Sequence, residues 1–432
     1  MRLAAVSSRS SFSSLCVNFR ATSKRNASQS ATSPSPISRT VLVREIPSDV
    51  TTSQILDKIQ VGPLEHIEHD ALNKCARFAF LDSKTATNFK RQFDQWDGRT
   101  GMTTGYSTEG PLGVEKIAAL GLRHASRAIR VNPVPEGATE GSLRQELSRF
   151  GAIEKIDLET GSDGKQVVHV HFHSIDSALR AVQTLRTEEG WGGKLGISFL
   201  TDRCDLPLRI ASRKLLNAKD SGELQSTVAV LHGVRKETTR ARILAHVKDA
   251  LPPHNGEAVL RVDIKTMRGK PRAAAFLNFA NAPITSLFLD ALKAKPLDGV
   301  TAYMKSQNIP LVKPTIHRAV KLGATRTILI KGLDKNSASK QRIFDDFRTF
   351  GTIISVKIQE TAENSANAFV SFADLMDALK AVDRIYQNNR NFRRYAGTKI
   401  SFAAEVNQGQ VAPSMLPLHI ATLEDSAPKE SS

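Results

Sequence analysis

Four short apolar segments of the chain carry phenylalanine or histidine rings, and in most of them a basic residue lies close by. The first, Ala76–Ser83, holds Phe78 and Phe80 next to Arg77. The other three run from Lys165 to Phe172, from Arg272 to Phe279 and from Ser365 to Phe372. An exposed ring can stack on a flat aromatic ligand, and a neighbouring cation can bind an anion or a ring face. These segments therefore offer chemistry suited to a planar, negatively charged ligand.

Residues suited to catalysis or to metal binding are not grouped in this sequence. The carboxylates are dispersed, and the phosphate-binding pattern GxxxxGK[ST] does not occur. Cys16, Cys75 and Cys204 lie far apart without a CxxC pair, and His169 and His171 have no further metal ligand nearby in sequence. We expect a non-enzymatic protein without a cofactor or a metal site.

The elements that must position the rings repeat about every hundred residues. Apolar runs suited to strands start at Val41, Ile129, Ala229 and Ile328, with separations of 88, 100 and 99 residues. Thr51, Thr139, Thr239 and Ser337 follow these runs and are placed to cap the next helix. Gly151 and Gly351 are expected to end the first helix of their repeats in a left-handed conformation.

The order of elements in each repeat is strand, helix, strand, strand, helix, strand. It predicts an α+β fold of tandem ferredoxin-like sandwiches, each a four-stranded antiparallel sheet backed by two helices. The repeats, called modules 1 to 4 below, are predicted at residues 39–105, 126–204, 226–306 and 325–405. Residues 406–432 have little periodicity and are predicted to be a disordered tail.

The repeat resembles the RNA recognition motif family, which carries RNA-binding side chains on a hexamer in the first strand and an octamer in the third. The octamer pattern is basic, Gly, aromatic, Gly or Ala, aromatic, aliphatic, any residue, aromatic. Ala76–Ser83 matches its four central positions, and the other three segments keep the final Phe. Hexamer and octamer start 35, 36, 43 and 37 residues apart in modules 1 to 4. The resemblance covers residues 39–404.

This resemblance implies that hexamer position two and octamer positions three and five share the open face of each sheet, where unpaired bases stack. Those positions hold Leu42, Phe78 and Phe80; Arg130, Val167 and His169; Val230, Ala274 and Phe276; and Leu329, Asn367 and Phe369. Arg77, Lys165 and Arg272 are expected to add basic contacts. Module 1 has both octamer positions filled by rings and is expected to be the principal platform. Burial of Phe78 and Phe80 in the core, through a different strand register, is the alternative.

Basic residues outnumber acidic ones by 60 to 43, giving a net charge of +17 that favours an anionic partner. The segment 299–333 contains no Asp or Glu, and its Lys313, Arg318 and Lys321 are predicted to contact phosphates. The alternative for this segment is a solvated basic loop. No apolar run is long enough to cross a bilayer, so membrane insertion is not expected.

Residues 1–44 contain no Asp or Glu, seven Lys or Arg and many Ser. This composition is typical of a mitochondrial transit peptide, predicted over residues 1–38, and a disordered basic tail is the alternative. The sequence thus predicts a mitochondrial matrix protein that binds single-stranded RNA and acts in transcript stability, processing or translation, with other ribonucleoprotein components as further partners. A nuclear or cytosolic messenger-RNA-binding or splicing factor, or a protein-binding scaffold, are the alternatives.

Overall fold

The structure is a computed structural model that describes residues 38–403 with short gaps. The gaps are residues 97–100, 133, 136, 161–165, 188–195, 222–225, 236, 252–258, 267–271, 298, 305–312, 336–337, 363, 388–389 and 396. The predicted transit peptide and tail, Cys16, Lys165 and Ser337 lie outside the described residues.

Each module has the predicted order of elements. Module 1 comprises β1 (Thr40–Arg44), α1 (Thr52–Lys58), β2 (Leu64–Asp70), β3 (Cys75–Phe80), α2 (Ser83–Asp94) and β4 (Thr103–Ser107). The helix α3 (Val114–Arg123) follows it. Module 2 comprises β5 (Ala128–Asn132), α4 (Glu140–Leu147), β6 (Ile153–Thr160), β7 (Gln166–Phe172), α5 (Ile175–Leu185) and β8 (Gly196–Phe199). The helix α6 (Leu206–Ser221) leads to the next module.

Module 3 comprises β9 (Val228–Arg235), α7 (Arg240–Ala250), β10 (Val259–Thr266), β11 (Arg272–Phe279), α8 (Ala282–Ala294) and β12 (Thr301–Met304). The helix α9 (Pro314–Lys321) precedes module 4. Module 4 comprises β13 (Thr327–Asp334), α10 (Lys340–Phe347), β14 (Ile353–Ala362), β15 (Ser365–Phe372), α11 (Leu375–Tyr386) and β16 (Lys399–Ala403). No helix of the described residues is long and apolar enough to cross a membrane.

The four sheets share one topology. Their strand orders are β2-β3-β1-β4, β6-β7-β5-β8, β10-β11-β9-β12 and β14-β15-β13-β16. In each module the first strand pairs antiparallel with the third and with the fourth. The predicted fold class, tandem ferredoxin-like sandwiches with four-stranded antiparallel sheets, is confirmed.

Helix caps follow the predicted hydroxyls where these are described. The side chains of Thr51, Thr139 and Thr239 accept hydrogen bonds from the first turns of α1, α4 and α7. The helix α10 begins after Ser339, beyond the predicted cap Ser337.

Two glycines at the ends of first helices are required by close packing. Gly151 has a φ of 147°, a backbone conformation that favours glycine. Gly351 does not have a positive φ, so the prediction of a left-handed conformation at this residue is wrong. An added Cβ would lie 2.9 Å from the Cβ of Ser177 at Gly151, and 2.8 Å from the Cβ of Asp377 at Gly351. Both residues therefore allow the chain to pass close to the second helix of the module.

Within the described residues the chain divides by internal contacts into two compact bodies, residues 38–59 with 67–109 and residues 60–66 with 110–403. In the second body, module 2 has its own core, which includes Phe172, Val170 and Leu185. Modules 3 and 4 share one core cluster with residues of α3 and α9, such as Ile117 and Ala319. The helices α3 and α9, which lie between modules, are thus packed into the hydrophobic core.

The helices α3, α9 and α11 meet at Gly121. A Cβ at this position would lie 2.9 Å from Leu379 Cδ1 and 3.1 Å from Ala319 Cβ, so only a hydrogen fits between these helices. At the end of α3, Arg123 donates a hydrogen bond of 2.8 Å to the carboxylate of Asp383 on α11.

Replacing Gly121 by valine is expected to lower the free energy of unfolding of the second body by roughly 1–3 kcal/mol, because added methyl groups overpack this crossing. Chemical denaturation of the full chain measures the change. Gly141→Val on α4 is the matched control, since a Cβ at Gly141 would meet only Thr139 Oγ1, at 3.9 Å. Equal stability of the two variants would show that the three helices do not pack as described.

Candidate nucleic-acid interface

The open face of each sheet is defined by how the first strand pairs with the third. Residues directly opposite each other on neighbouring strands point to the same side of the sheet. Arg130 lies opposite His169, Val230 opposite Phe276, and Leu329 opposite Phe369. The predicted sharing of a face is confirmed for these three pairs.

In module 1 the rings of Phe78 and Phe80 point into the core, so the prediction that they lie on the open face is wrong. Phe78 lies opposite the buried Val41, whereas Leu42 lies opposite Arg77. The exposed fractions of Phe78 and Phe80 are 0% and 1%, and each ring centroid lies 5.1 Å from that of Phe89 on α2. Neither ring can stack on a base.

The octamer of module 1 begins three residues earlier than the sequence pattern suggested. Phe80 ends β3, as Phe172, Phe279 and Phe372 end β7, β11 and β15. Two residues after each of these phenylalanines comes the cap of the next helix: Asp82, Ser174, Asn281 and Asp374. This constant spacing is a sequence signal that would have fixed the frame. It places Arg77, and no ring, at octamer position five.

A second repeated feature lies just before the first strand of each module. The N–H of the phenylalanine that ends the third strand donates to the carbonyl of Arg39, Arg127, Thr227 or Arg326, at 2.8–2.9 Å. Each arginine also donates from its guanidinium to that phenylalanine's carbonyl, at 2.9, 3.0 and 3.4 Å. These contacts fix the register of the first and third strands, and sequence reasoning missed the three arginines.

The open face of module 1 carries an arginine held by carboxylates. Arg77 donates to Glu68 on β2 at 3.0 Å and to Glu109 at 3.5 Å. Glu109 follows β4 and also accepts a hydrogen bond of 2.9 Å from Thr40. Leu42 is partly exposed beside them. Because the cation is already paired and no phenylalanine faces outward on β1 or β3, this face is poorly suited to a nucleic acid.

The open face of module 2 also carries paired charges. Arg130 is exposed, but the His169 ring lies 3.6 Å from Glu159, and Lys155 forms an ion pair of 2.7 Å with Asp157. Burial lowers the pKa of the neighbouring His171 below its ordinary value. Within the described residues no three His, Cys, Asp or Glu side chains are grouped to hold a metal ion.

The open face of module 3 presents a ring and a cation together. Phe276 is partly exposed on β11, and the Lys265 ammonium on β10 lies 5.2 Å from its ring centroid. A cation at this distance is attracted to the ring face. Val230 and Ala274 at the other two positions are buried. Arg272 begins β11.

The open face of module 4 combines one ring with three lysines. Phe369 is partly exposed, Leu329 beside it is buried, and Lys357 lies opposite Phe369 on β14. Lys331 and Lys399 are both exposed and lie opposite each other on β13 and β16. The sequence patterns pointed to Leu329 and Phe369 but missed the lysines, because these lie outside the hexamer and octamer positions.

Arg318, one of the three predicted phosphate contacts of the basic segment, forms an ion pair within the chain. The guanidinium of Arg318 on α9 donates twice to the carboxylate of Asp205, at 2.5 and 2.9 Å, and its contact with phosphate stays a prediction. Burial raises the pKa of Asp205, and attraction to Arg318 offsets that shift only in part. Lys313 and Lys321 are exposed, and the Lys313 ammonium lies 3.3 Å from His124 Nε2. Their contact with phosphate stays a prediction.

A buried ion network lies next to this pair. Arg127 is fully buried and donates to Asp202 at 2.8 and 3.0 Å and to Glu154 at 2.9 Å. Burial alone would raise the pKa values of both carboxyls, but attraction to Arg127, together with hydrogen bonds and, for Glu154, attraction to Arg203, lowers them below their ordinary values. None of the three groups can reach a ligand, so the network stabilises the fold of module 2.

Comparison with known proteins identifies the RNA recognition motif at two positions of the chain. The sequence profile of the RNA recognition motif matches residues 129–194 and 328–393, in modules 2 and 4. These matches support RNA binding through RNA recognition motifs.

Two curated relatives and one solved structure illustrate the likeness. The chain is 22% identical over 356 residues to the meiotically up-regulated gene 24 protein of Schizosaccharomyces pombe, covering 80% of this chain and 53% of that protein. It is 25% identical over 178 residues to the RNA-binding protein MRN1 of Saccharomyces cerevisiae, covering 39% of this chain and 28% of that protein. The chain thus spans about half or less of the length of these relatives. The three N-terminal RNA-binding domains of the yeast splicing factor Prp24 align at 17% identity and a TM-score of 0.16, covering 65% of this chain and 100% of that one.

The two kinds of phenylalanine are expected to differ in what their removal does. Phe78→Ala should lower the free energy of unfolding of module 1 by about 3–5 kcal/mol, because a fully buried ring is lost. Phe276→Ala should change stability by well under half of that, because its ring is partly exposed. Denaturation of the full chain with each variant measures both. A Phe78→Ala variant as stable as the parent would show that the Phe78 ring is not in the core but on the open face.

Proposed function

We propose that this chain binds single-stranded RNA on the open faces of modules 3 and 4, and that it acts without catalysis in the post-transcriptional handling of transcripts. The observation that carries the proposal is a partly exposed phenylalanine ring with a lysine beside it on each face. These pairs are Phe276 with Lys265 and Phe369 with Lys357.

A ring and a cation on an open sheet match the two parts of an unpaired nucleotide. The ring stacks on a base, at about 1–3 kcal/mol per base, and the ammonium is drawn to the phosphate. Lys331 and Lys399 extend the positive charge of module 4 along the same face. The net charge of +17 adds general attraction for a polyanion.

Modules 1 and 2 have a smaller part in this proposal. Arg77 of module 1 is already paired with Glu68 and Glu109. Module 2 carries no outward phenylalanine on β5 or β7, and its exposed Arg130 is left for a phosphate contact. On module 2 the ion pair of Lys155 with Asp157 and the contact of the His169 ring with Glu159 favour a second function as a protein-binding scaffold.

The cellular site in this proposal is the mitochondrial matrix. Its support is the composition of residues 1–44, which have seven basic residues and no acidic one. A nuclear or cytosolic site is the alternative. Transcript stability, processing and translation are all compatible with a non-catalytic RNA-binding chain.

The double variant Phe276→Ala with Phe369→Ala is expected to bind a fluorescein-labelled oligouridylate about 30-fold or more weaker than the parent, because two stacking contacts are lost. Fluorescence anisotropy with the full chain measures the affinity. Val167→Ala with His169→Ala in module 2 is the control and should bind nearly as the parent does. An equal loss in both variants, or none in the first, would contradict the assignment to modules 3 and 4.

Import is tested separately from binding. A fluorescent reporter fused behind residues 1–38 is expected to enter mitochondria, because a basic, Ser-rich leader without acidic residues is typical of a mitochondrial transit peptide. Microscopy with a matrix marker measures the overlap, and a fusion with Arg2, Arg9 and Arg20 changed to Glu is the control. A reporter that stays in the cytosol would contradict the mitochondrial proposal and leave the RNA-binding one intact.

A further inference from the structure

Module 3 carries a second aromatic surface that the hexamer and octamer patterns do not include. Tyr303 on β12 is 48% exposed, and it lies directly opposite Val230 on β9. Val230 in turn lies opposite Phe276 on β11. Phe276, Val230 and Tyr303 therefore form a row across three neighbouring strands, all on the open face.

The tyrosine is held in place by a histidine on the adjacent strand. The phenol oxygen of Tyr303 lies 3.0 Å from Nε2 of His232, at hydrogen-bond distance. The two rings are nearly parallel, with an angle of 14° between their planes and 5.4 Å between their centroids. A side chain fixed in this way loses little conformational entropy when a ligand binds to it.

The open face of module 3 thus has its rings in an unusual place. Hexamer position two and octamer position three hold Val230 and Ala274, which are 1% and 2% exposed and offer no ring. Tyr303 supplies a ring on the other side of Val230, so aromatic surface lies at both sides of the row. Strands are about 4.8 Å apart, which places Phe276 and Tyr303 roughly 10 Å from each other. Rings so far apart take one base each rather than a single base between them.

We propose that Tyr303, positioned by His232, is a second base-stacking site of module 3 and binds an unpaired nucleobase of the strand whose neighbouring base stacks on Phe276. This inference rests on the proposed function and adds a ligand subsite to it. The ligand is identified by its chemistry: a flat aromatic base for the ring of Tyr303, with the backbone phosphate close to Lys265.

The chain contains a matched control for this site. Tyr106 is on β4, the last strand of module 1, and is 45% exposed, nearly the same fraction as Tyr303. Tyr106 lies opposite Val41, whose side chain is in the core, so it is on the side of the helices, and its hydroxyl lies 3.3 Å from that of Thr87 on α2. The two tyrosines differ in the face they occupy and are alike in strand position and exposure.

Tyr303→Ala is expected to weaken binding of a fluorescein-labelled oligouridylate by about 5- to 150-fold, the loss of one stacked base. Tyr303→Phe should keep most of the affinity, because the ring remains, and Tyr106→Ala should bind as the parent does. With an abasic strand of the same length the parent and Tyr303→Ala should bind equally, since no base is present to stack. Thermal denaturation of each variant should show a shift of only a few degrees.

Two results would contradict the proposed subsite at Tyr303, and a third would contradict the proposed function as well. Parent-like affinity of Tyr303→Ala, while Phe276→Ala with Phe369→Ala loses affinity, removes Tyr303 from the interface and leaves the proposed function standing. An equal loss of Tyr303→Ala on the abasic strand assigns the residue to backbone contact or to folding, against stacking. Parent-like affinity of all these variants contradicts the proposed function itself.

Discussion

The pairing of the first and third strands of each sheet is the constraint on which the rest of the structure depends. One hydrogen bond recurs at the end of that pairing, from the N–H of Phe80, Phe172, Phe279 or Phe372 to the carbonyl of the residue before the first strand. It sets the register, and a shift by one residue would exchange the core face with the open face. In three modules an arginine closes the same corner with a second hydrogen bond. Which side chains can meet a ligand is decided there.

The four modules use this common frame for different purposes. At octamer position five they hold Arg77, His169, Phe276 and Phe369. Only modules 3 and 4 therefore present a phenylalanine ring at this position of the open face. The arginine and the histidine lie beside glutamates of the same sheet or of the segment after it, whereas the phenylalanines lie beside lysines. The modules with a phenylalanine at octamer position five therefore have a basic neighbour there, and the modules without one have an acidic neighbour. The helices α3 and α9, which join modules, are packed into the core that modules 3 and 4 share.

Most of the fold could be predicted from the sequence, because repeated apolar runs, caps and helix lengths are local signals. Each module has the predicted order of strands and helices, and the threonine caps of α1, α4 and α7 lie where expected. The frame of the octamer in module 1 was missed because the run Phe78-Ala79-Phe80 fits two registers when judged by its rings alone. The ion pair of Arg318 with Asp205 joins residues 113 apart in the chain, and no local pattern reveals it. Tyr303 and His232 are brought together by the pairing of their strands, so their contact is likewise not revealed by a local sequence pattern.

The central claim, that modules 3 and 4 and not module 1 meet the RNA, is tested most directly by mapping the contact on the unaltered chain. A 4-thiouridine oligonucleotide bound to the full-length protein would be cross-linked by light, and the modified peptides identified by mass spectrometry. We expect cross-links in the peptides of β11 and β12 and of β13 and β15, which contain Phe276, Tyr303 and Phe369. Cross-links concentrated in β3 of module 1, at Phe78 and Phe80, would contradict it.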